Sequence, residues 1–146
     1  MLYRIAHRAR IVLWRIRRPR LEGVRVLALD PEGRILLLRH SYGSGKWMPP
    51  GGGMNRSEDA LAAGMREFEE ETGRPLLDGR ALIVIDEDLQ GASNRVHMVV
   101  GRVEGTPRWD GREIVEIAFF PLDDLPDHMP TGLARKIRNW IAESRQ

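Results

Sequence analysis

The chain contains no cysteine among its 146 residues. That absence excludes disulfide bonds, zinc–thiolate sites and a thiol nucleophile together, and it is typical of a reducing compartment. Long apolar segments are missing too, since unbroken runs such as Ile11–Trp14 and Ile35–Leu38 are only four residues long. A membrane-spanning helix needs about 20 apolar residues. The sequence therefore predicts a soluble, cytoplasmic chain with one main domain.

Acidic residues are missing from positions 1–20, which carry seven arginines. The remainder holds 16 of the 23 Lys and Arg against 21 Asp and Glu, so the net charge of +2 comes from this segment. Its apolar residues fall on one helical stripe. They are Leu2, Ile5, Ala9, Val12, Leu13 and Ile16. We predict a basic amphipathic helix in residues 1–20, stopped by Pro19, ahead of a domain at 21–146.

Several partners suit this N-terminal segment. Its apolar stripe can pack on the domain itself or on a second subunit of a homodimer, which is the favoured interpretation. Arginine-rich amphipathic helices also bind RNA and anionic membrane surfaces, and contact with either is the alternative.

The hydrophobic pattern of residues 21–146 mixes strands and helices. Strands are predicted at 24–30, 34–40, 82–86, 96–103 and 113–121, with helices at 56–72 and 131–144. The turn at 31–33 makes the first two strands a hairpin, which requires antiparallel pairing. We therefore predict an α/β fold with a mixed sheet between helices. Asn55 is the expected N-cap of the first of these helices, and Gly73 its C-terminal glycine.

Three glutamates converge on one face of the helix at 56–72. At about 100° per residue, Glu70 and Glu71 fall within 60° of Glu67 on either side. Small residues on the same face are expected to leave room for a polyphosphate, and three apolar residues are expected to face the core. The small residues are Ala60, Ala63 and Gly64, and the apolar ones are Leu61, Met65 and Phe68. Arg66, Glu69 and Glu58 project elsewhere on this helical wheel.

Like-charged neighbours destabilise a helix unless a cation lies between them. Carboxylate oxygens suit a hard ion, so the pattern indicates Mg²⁺, with Mn²⁺ as the alternative. Acidic runs on helices are usually solvated faces, however, and composition alone favours that simpler interpretation.

The order of residues from Gly52 to Arg74 is more specific than the acidic run. Glu58 follows Gly52 after five residues, and seven further residues lead to a continuous run ending at Gly73. That run is Arg66, Glu67, Phe68, Glu69, Glu70, Glu71, Thr72 and Gly73. The order resembles the Nudix box, G-x5-E-x7-R-E-U-x-E-E-x-G-U with U apolar, and departs from it only at Arg74. The preceding run from Trp47 to Gly52 resembles the segment that usually leads into the box.

The resemblance implies an α/β/α sandwich and metal-dependent hydrolysis of a pyrophosphate bond in a nucleotide. By position, the family's metal ligands match Glu67, Glu70 and Glu71. Its orienting arginine matches Arg66, and a residue with a supporting role matches Glu58. The family's general base varies, so Glu67 remains one candidate.

A second candidate for the base lies in a distal acidic segment, Glu113–Glu116, which also resembles the family. Glu116 would interrupt the apolar face of a strand, and an unpaired buried carboxylate is costly enough to indicate function. Glu116 is therefore favoured over Glu113 as a catalytic or metal-binding residue.

Substrate contacts are predicted around the glycine-rich loop. Arg39 ends a strand just before it and is placed to meet a phosphate. Tyr42 and Trp47 are candidates for stacking on a base, although packing beneath the loop is favoured for Trp47. By resemblance, Gly51 and Gly52 shape the entry to the helix. No sub-family marker follows the box, so the substrate stays open.

Three functions are compatible with the sequence. The intact box favours a pyrophosphohydrolase acting on a nucleotide-type small molecule. A nucleotide sensor with the same fold but no turnover is the second, and an RNA 5′-end pyrophosphohydrolase recruited by the basic segment is the third.

Overall fold

The computed structural model describes residues 20–89 and 92–146. The helix predicted for residues 1–20 lies outside the described residues except for Arg20, which begins the first strand. Within the described chain, no helix is long and apolar enough to cross a membrane.

Six strands and two helices make up the described chain. In order they are β1 (Arg20–Leu29), β2 (Ile35–His40), β3 (Gly51–Gly53), α1 (Ala60–Thr72), β4 (Leu77–Leu89), β5 (Ala92–Arg102), β6 (Ile114–Phe120) and α2 (Leu133–Ser144). The sheet runs β4-β5-β1-β2-β6, and β3 pairs with β1. β1 is parallel to β5 and the other pairings are antiparallel, which confirms the predicted mixed sheet.

The predicted hairpin joins β1 to β2. Leu29 lies opposite Ile35, and the Asp30 N–H donates to the carbonyl of Arg34 at 2.9 Å. Gly33 has φ 78°, a left-handed conformation that glycine adopts without steric cost.

The core has two halves, one on each face of the sheet. Along β1, Val24 and Val26 face α1, where they pack with Phe68. Leu27 points the other way and packs with residues of α2 such as Ile137. This alternation is the period of two that a strand imposes on its side chains. The sheet therefore lies between α1 and α2, as an α/β/α sandwich.

Helix α1 begins later than predicted. Its N-cap is Asp59 instead of Asn55, because the Asp59 carboxylate accepts from the Ala62 N–H at 2.8 Å. Residues 55–58 form a turn closed by the Asn55 N–H, which donates to Glu58 Oε1 at 2.9 Å. The C-terminal end is confirmed, since Gly73 is left-handed and its N–H donates to the Glu69 carbonyl.

Strand β3 was not predicted. Its three glycines lie in the predicted loop and have no side chains with which to show a strand pattern. They pair with residues 23–25 of β1, so the segment leading into α1 is part of the sheet.

Candidate active site

Two carboxylates of α1 lie on its buried face. Glu67 is 3% exposed and Glu71 5% exposed. Ala63 and Gly64 are buried on the same face, and a Cβ at Gly64 would approach Val99 to 3.2 Å. These small residues let the helix lie close to the sheet. The expectation that they leave room for a polyphosphate is therefore wrong.

The predicted core face of α1 is only partly right. Phe68 is fully buried, but Met65 is 45% exposed. Met65 lines a shallow surface depression together with Arg66, Glu69 and Glu70. The helical wheel gave the relative angles of these residues correctly. It could not indicate which sector faces the sheet, because that depends on the glycine strand and on β1.

The Glu71 carboxylate is bound by two other elements. The Gly51 N–H of β3 donates to Oε1 at 2.7 Å, and His40 Nε2 at the end of β2 lies 3.2 Å from Oε2. A carboxylate oxygen only accepts hydrogen bonds when it is ionised, so the His40 tautomer with the proton on Nε2 is the one that suits an ionised Glu71. The sequence indicated Gly51 but not His40, which is 31 residues from Glu71 and belongs to no motif.

Gly51 and Gly52 are required by close contacts. A Cβ at Gly52 would lie 2.7 Å from the carboxylate carbon of Glu67, and a Cβ at Gly51 would overlap the carbonyl of Val24. The two glycines therefore let β3 run directly beside the carboxylates of α1.

Arg66 connects the acidic residues of the site. Its Nε and Nη2 donate to the two oxygens of Glu58 at 2.6 and 2.8 Å. Nη1 donates to Glu67 Oε1 at 3.0 Å and lies 3.7 Å from Glu70 Oε1, while Nη2 also donates to the Gly53 carbonyl.

The helical wheel drawn from the sequence projected both Arg66 and Glu58 away from Glu67, Glu70 and Glu71. For Glu58 that projection is invalid, because the helix begins only at Ala60. For Arg66 it neglects the long side chain, which reaches around the helix surface.

Negative charge is in excess at this site. Burial, together with the charges of Glu71 and Glu70 and against the opposing effect of Arg66, raises the pKa of Glu67 to about 8. The pKa of Arg66 is raised above its usual value, chiefly by its hydrogen bonds to Glu58. A divalent cation would relieve this crowding, and carboxylate oxygens are the donors that hard ions prefer.

The fit of a cation is incomplete without side-chain movement. Across residues 20–89 and 92–146, no three His, Asp or Glu side chains already converge as a ready ligand set. Glu70 is the most accessible of the three helix carboxylates at 15% side-chain exposure, so it has the most freedom to rotate.

Glu116 is not buried, contrary to expectation. Its side chain is 48% exposed, and Oε1 accepts from Arg39 Nη1 at 2.9 Å. Glu116 keeps the face that alternation predicts, since it lies opposite Arg39 just as Ala118 lies opposite Leu37, but this face is exposed near the start of β6. The bulge affects the next residues, because His40 lies opposite Ile114 and the extra residue on β6 places Ile114 on the α1 side. Glu113, just before β6, donates its N–H to Asp110 Oδ1 at 3.1 Å.

Arg39 lies on the face of the sheet opposite α1. It is two residues from Leu37, which packs with the α2 side, and its guanidinium lies 5.7 Å from the ring centroid of Trp47. Arg39 Nε also donates to the Gly45 carbonyl at 2.9 Å. The predicted phosphate contact of Arg39 would therefore compete with its contacts to Glu116 and Gly45.

The two aromatic candidates differ in exposure. Trp47 packs in the α2-side core, edge-on against Phe120 at 4.9 Å, which agrees with the favoured packing interpretation. Tyr42 is 42% exposed, and its ring lies 4.8 Å from that of His40. Tyr42 is thus linked to the carboxylates of α1 through His40, which contacts Glu71.

Arg74, the position that departs from the box, has a structural role. Its Nε donates to the Glu104 carbonyl at 2.8 Å, and its guanidinium lies against Gly105. A polar residue here attaches the loop after β5 to the C-terminal end of α1.

Comparison with known proteins gives a family match across most of the chain. The model of the NUDIX domain matches residues 19–143. In addition, a 55-residue segment is 42% identical to the m7GpppN-mRNA hydrolase NUDT17 of Xenopus laevis. That segment is 35% of this chain but only 19% of the frog protein, so the match spans about a fifth of that relative.

Solved structures share the fold over nearly the whole described chain. The MutT NUDIX hydrolase of Burkholderia pseudomallei is 27% identical, with a TM-score of 0.74 over 84% of this chain and 98% of that one. The MutT protein of Methanosarcina mazei Go1 is 24% identical, with a TM-score of 0.76 over 89% and 99% of the two chains. The second likeness concerns the fold alone.

Proposed function

The chain belongs to the NUDIX domain family, and we propose that it hydrolyses a pyrophosphate bond in a nucleotide substrate with Mg²⁺ or Mn²⁺ as cofactor. One observation carries the proposal. Glu67 and Glu71 are both nearly inaccessible to solvent, and they lie close enough for the charge of Glu71 to raise the pKa of Glu67. Burying like charges together is costly. The arrangement is understandable if a cation and a phosphate chain complete it.

The metal would be held by carboxylate oxygens of Glu67, Glu70 and Glu71. Such an ion neutralises phosphate charge and lowers the pKa of a bound water. The chain's own contribution is to fix the carboxylates. Arg66, held at both oxygens of Glu58, orients Glu67 through its third nitrogen.

We assign the general base to Glu67. In the reaction the water oxygen bonds to phosphorus, the bridging P–O bond breaks, and the water's proton passes to the Glu67 carboxylate. The surroundings of Glu67 support this role, because burial and the neighbouring carboxylates favour its protonated form and so raise its affinity for a proton. The exposure of Glu116 and its pairing with Arg39, on the face away from α1, argue against the distal alternative.

Tyr42 is the best candidate for contact with the nucleotide base, because it is exposed beside His40 at the edge of the carboxylate cluster. Arg39 would meet a phosphate only after releasing Glu116. Trp47 contributes by packing beneath this loop.

Capped RNA is the second candidate substrate. It is favoured by the similarity to a frog protein whose name describes hydrolysis of m7GpppN-mRNA. The arginine-rich residues 1–20 would then contact the phosphates of the RNA.

The test is a phosphate-release panel with Mg²⁺ and, separately, Mn²⁺. The substrates are normal and oxidised nucleoside triphosphates, ADP-ribose, nucleotide sugars, diadenosine polyphosphates and capped RNA. At least one should turn over. Failure of all of them with the folded protein would favour a nucleotide sensor, measured then as binding without turnover.

Glu70→Gln provides the matched test of the metal site, with Glu69→Gln as its control. The two glutamates are adjacent on α1, but Glu69 is exposed and takes no part in the contacts of Arg66. We expect Glu70→Gln to lower kcat/KM by about 100-fold or more, and Glu69→Gln to stay within about threefold. Equal activity in the two variants would contradict the assignment.

A further inference from the structure

His40 contacts the metal-site helix from a different element of the fold. Its Nε2 lies 3.2 Å from Glu71 Oε2, and the two side chains are 15% and 6% exposed. The Gly51 N–H donates to the other oxygen at 2.7 Å. Both oxygens of Glu71 therefore have a hydrogen-bond partner from the sheet.

The position of His40 follows from its strand. Leu36 and Leu38 face the α1 side, and two residues further along β2 the His40 side chain has the same direction. The bulge in β6 places Ile114 opposite His40, so a buried aliphatic side chain lies next to it in the ladder. Just beyond, the Ser41 N–H donates to the Glu113 carbonyl at 2.9 Å and fixes the end of the strand.

Tyr42 lies against the other side of this histidine. Its ring centroid is 4.8 Å from that of His40, with the planes tilted by 41°. The imidazole is thus in contact with a carboxylate on one side and an exposed aromatic ring on the other, which restricts its rotation.

We propose that His40 is a positioning residue that holds Glu71 in the geometry needed to bind the divalent cation. The inference rests on the proposed function only in taking Glu71 as a ligand. A glutamate side chain has several rotatable bonds, and ordering it at the moment of binding lowers affinity. A hydrogen bond to each oxygen orders it in advance, in the way that outer partners of metal ligands generally act.

The alternative is that His40 only fills space between β2 and α1. Two substitutions separate these roles. His40→Phe keeps an aromatic ring for contact with Tyr42 but removes the N–H. His40→Gln removes the ring but keeps an N–H donor at a similar distance from the backbone. Exposed His128, outside this cluster, provides the control substitution His128→Gln.

The primary measurement is Mn²⁺ affinity by titration calorimetry, without substrate. We expect His40→Phe to weaken Mn²⁺ binding about tenfold, and both His40→Gln and His128→Gln to remain within about threefold of the unaltered chain. If His40→Phe binds Mn²⁺ as well as the unaltered chain does, the inference is wrong. If His40→Gln binds Mn²⁺ as weakly as His40→Phe does, the imidazole ring is needed and the hydrogen bond is not. That result would also overturn the inference.

The Gly51 amide gives a readout that needs no metal. Because this N–H is bound to the second oxygen of Glu71, its proton chemical shift reports where that carboxylate lies. In the metal-free protein His40→Phe should move the Gly51 signal, while His40→Gln leaves it near its original position. An unmoved signal in His40→Phe would show that Glu71 does not depend on His40.

These measurements also separate the inference from the proposed function. If the unaltered chain binds no Mn²⁺, the proposed metal site fails, and the role of His40 in metal binding fails with it. If the unaltered chain binds Mn²⁺ and only the His40 variants behave unexpectedly, the proposed function stands without this positioning role.

Discussion

Arg39 and His40 are adjacent in β2, and each meets a glutamate on a different face of the sheet. His40 points towards α1 and contacts Glu71, with both side chains largely buried. Arg39 points towards the α2 side and pairs with Glu116, with side-chain exposures of 36% and 48%. An exposed ion pair contributes little to the stability of the fold, because water can replace either partner. A buried carboxylate has lost its hydration, so its charge must be compensated by its protein partners. The two glutamates therefore differ in the chemistry they can perform, although the sequence made both of them site candidates, Glu71 as a metal ligand and Glu116 as a catalytic residue.

The two arginines that pair with glutamates, Arg66 and Arg39, also differ in burial and in the number of contacts they make. Arg66 makes a two-point contact with Glu58 and also reaches Glu67, at 20% side-chain exposure. Arg39 makes a single contact to its glutamate. Burial and number of contacts, more than residue type, distinguish the site on α1 from the surface pair on the opposite face.

Replacing each carboxylate by an amide gives the largest expected difference in activity. Glu67→Gln should lower kcat/KM by about 1,000-fold, since it removes both a proton acceptor and an anionic ligand. Glu116→Gln should change it by less than about fivefold, because only an exposed ion pair is lost. Steady-state kinetics on whichever substrate the panel identifies will measure both. A loss for Glu116→Gln as large as that for Glu67→Gln would return the general base to the distal segment.

Replacing the arginines tests stability in place of activity. Arg66→Lys loses the two-point contact with Glu58, and we expect the free energy of unfolding to fall by about 2 kcal/mol. Arg39→Lys should lower it by less than about 0.5 kcal/mol, because its pair with Glu116 is exposed. Urea unfolding of the metal-free protein measures both values. Similar losses of unfolding free energy in the two variants would mean that the buried Arg66–Glu58 pair stabilises the fold no more than the exposed Arg39–Glu116 pair.

Local pattern was sufficient for much of the site. The spacing from Gly52 to Gly73 predicted the helix and its C-terminal end, and in the structure the charges of Glu70 and Glu71 act on Glu67. That these three bind a metal stays a prediction. These features depend on residues a few positions apart, where helix geometry relates sequence to space directly. The hairpin and every described strand except β3 were also predicted, because side chains in a strand alternate with a period of two, although β4 and β5 begin earlier than predicted.

The missed features depend on distant parts of the chain. The His40–Glu71 contact joins residues 31 apart, and the exposed pair of Arg39 and Glu116 joins residues 77 apart. The bulge that places Ile114 on the α1 side is likewise defined only by the pairing of β6 with β2. The orientation of α1 depends on three glycines that carry no hydrophobic pattern. A one-residue irregularity in strand pairing shifts which side chains face inward, and a single sequence does not reveal it.

The last predicted effect concerns the pH dependence of stability, which should differ between the two faces. Burial and the neighbouring carboxylates raise the pKa of Glu67 to about 8 from the ordinary value of 4.5, so between these values the folded state binds more protons than the unfolded state. Stability of the metal-free protein should therefore fall as pH rises through this window and level off above pH 8. Above the window Glu67→Gln should melt a few degrees higher than the unaltered chain, and its stability should vary less with pH.

Glu116→Gln is the control for this pH dependence, since an exposed carboxylate with one surface partner gives no comparable reason for a slope. Melting temperatures measured in chelator from pH 5 to 9 make the comparison. A steeper fall for Glu67→Gln than for the unaltered chain would mean that Glu67 is not the buried carboxylate responsible. Addition of Mn²⁺ should then stabilise the unaltered chain most at high pH, where Glu67 is ionised, because ligand binding to the folded state alone raises its stability.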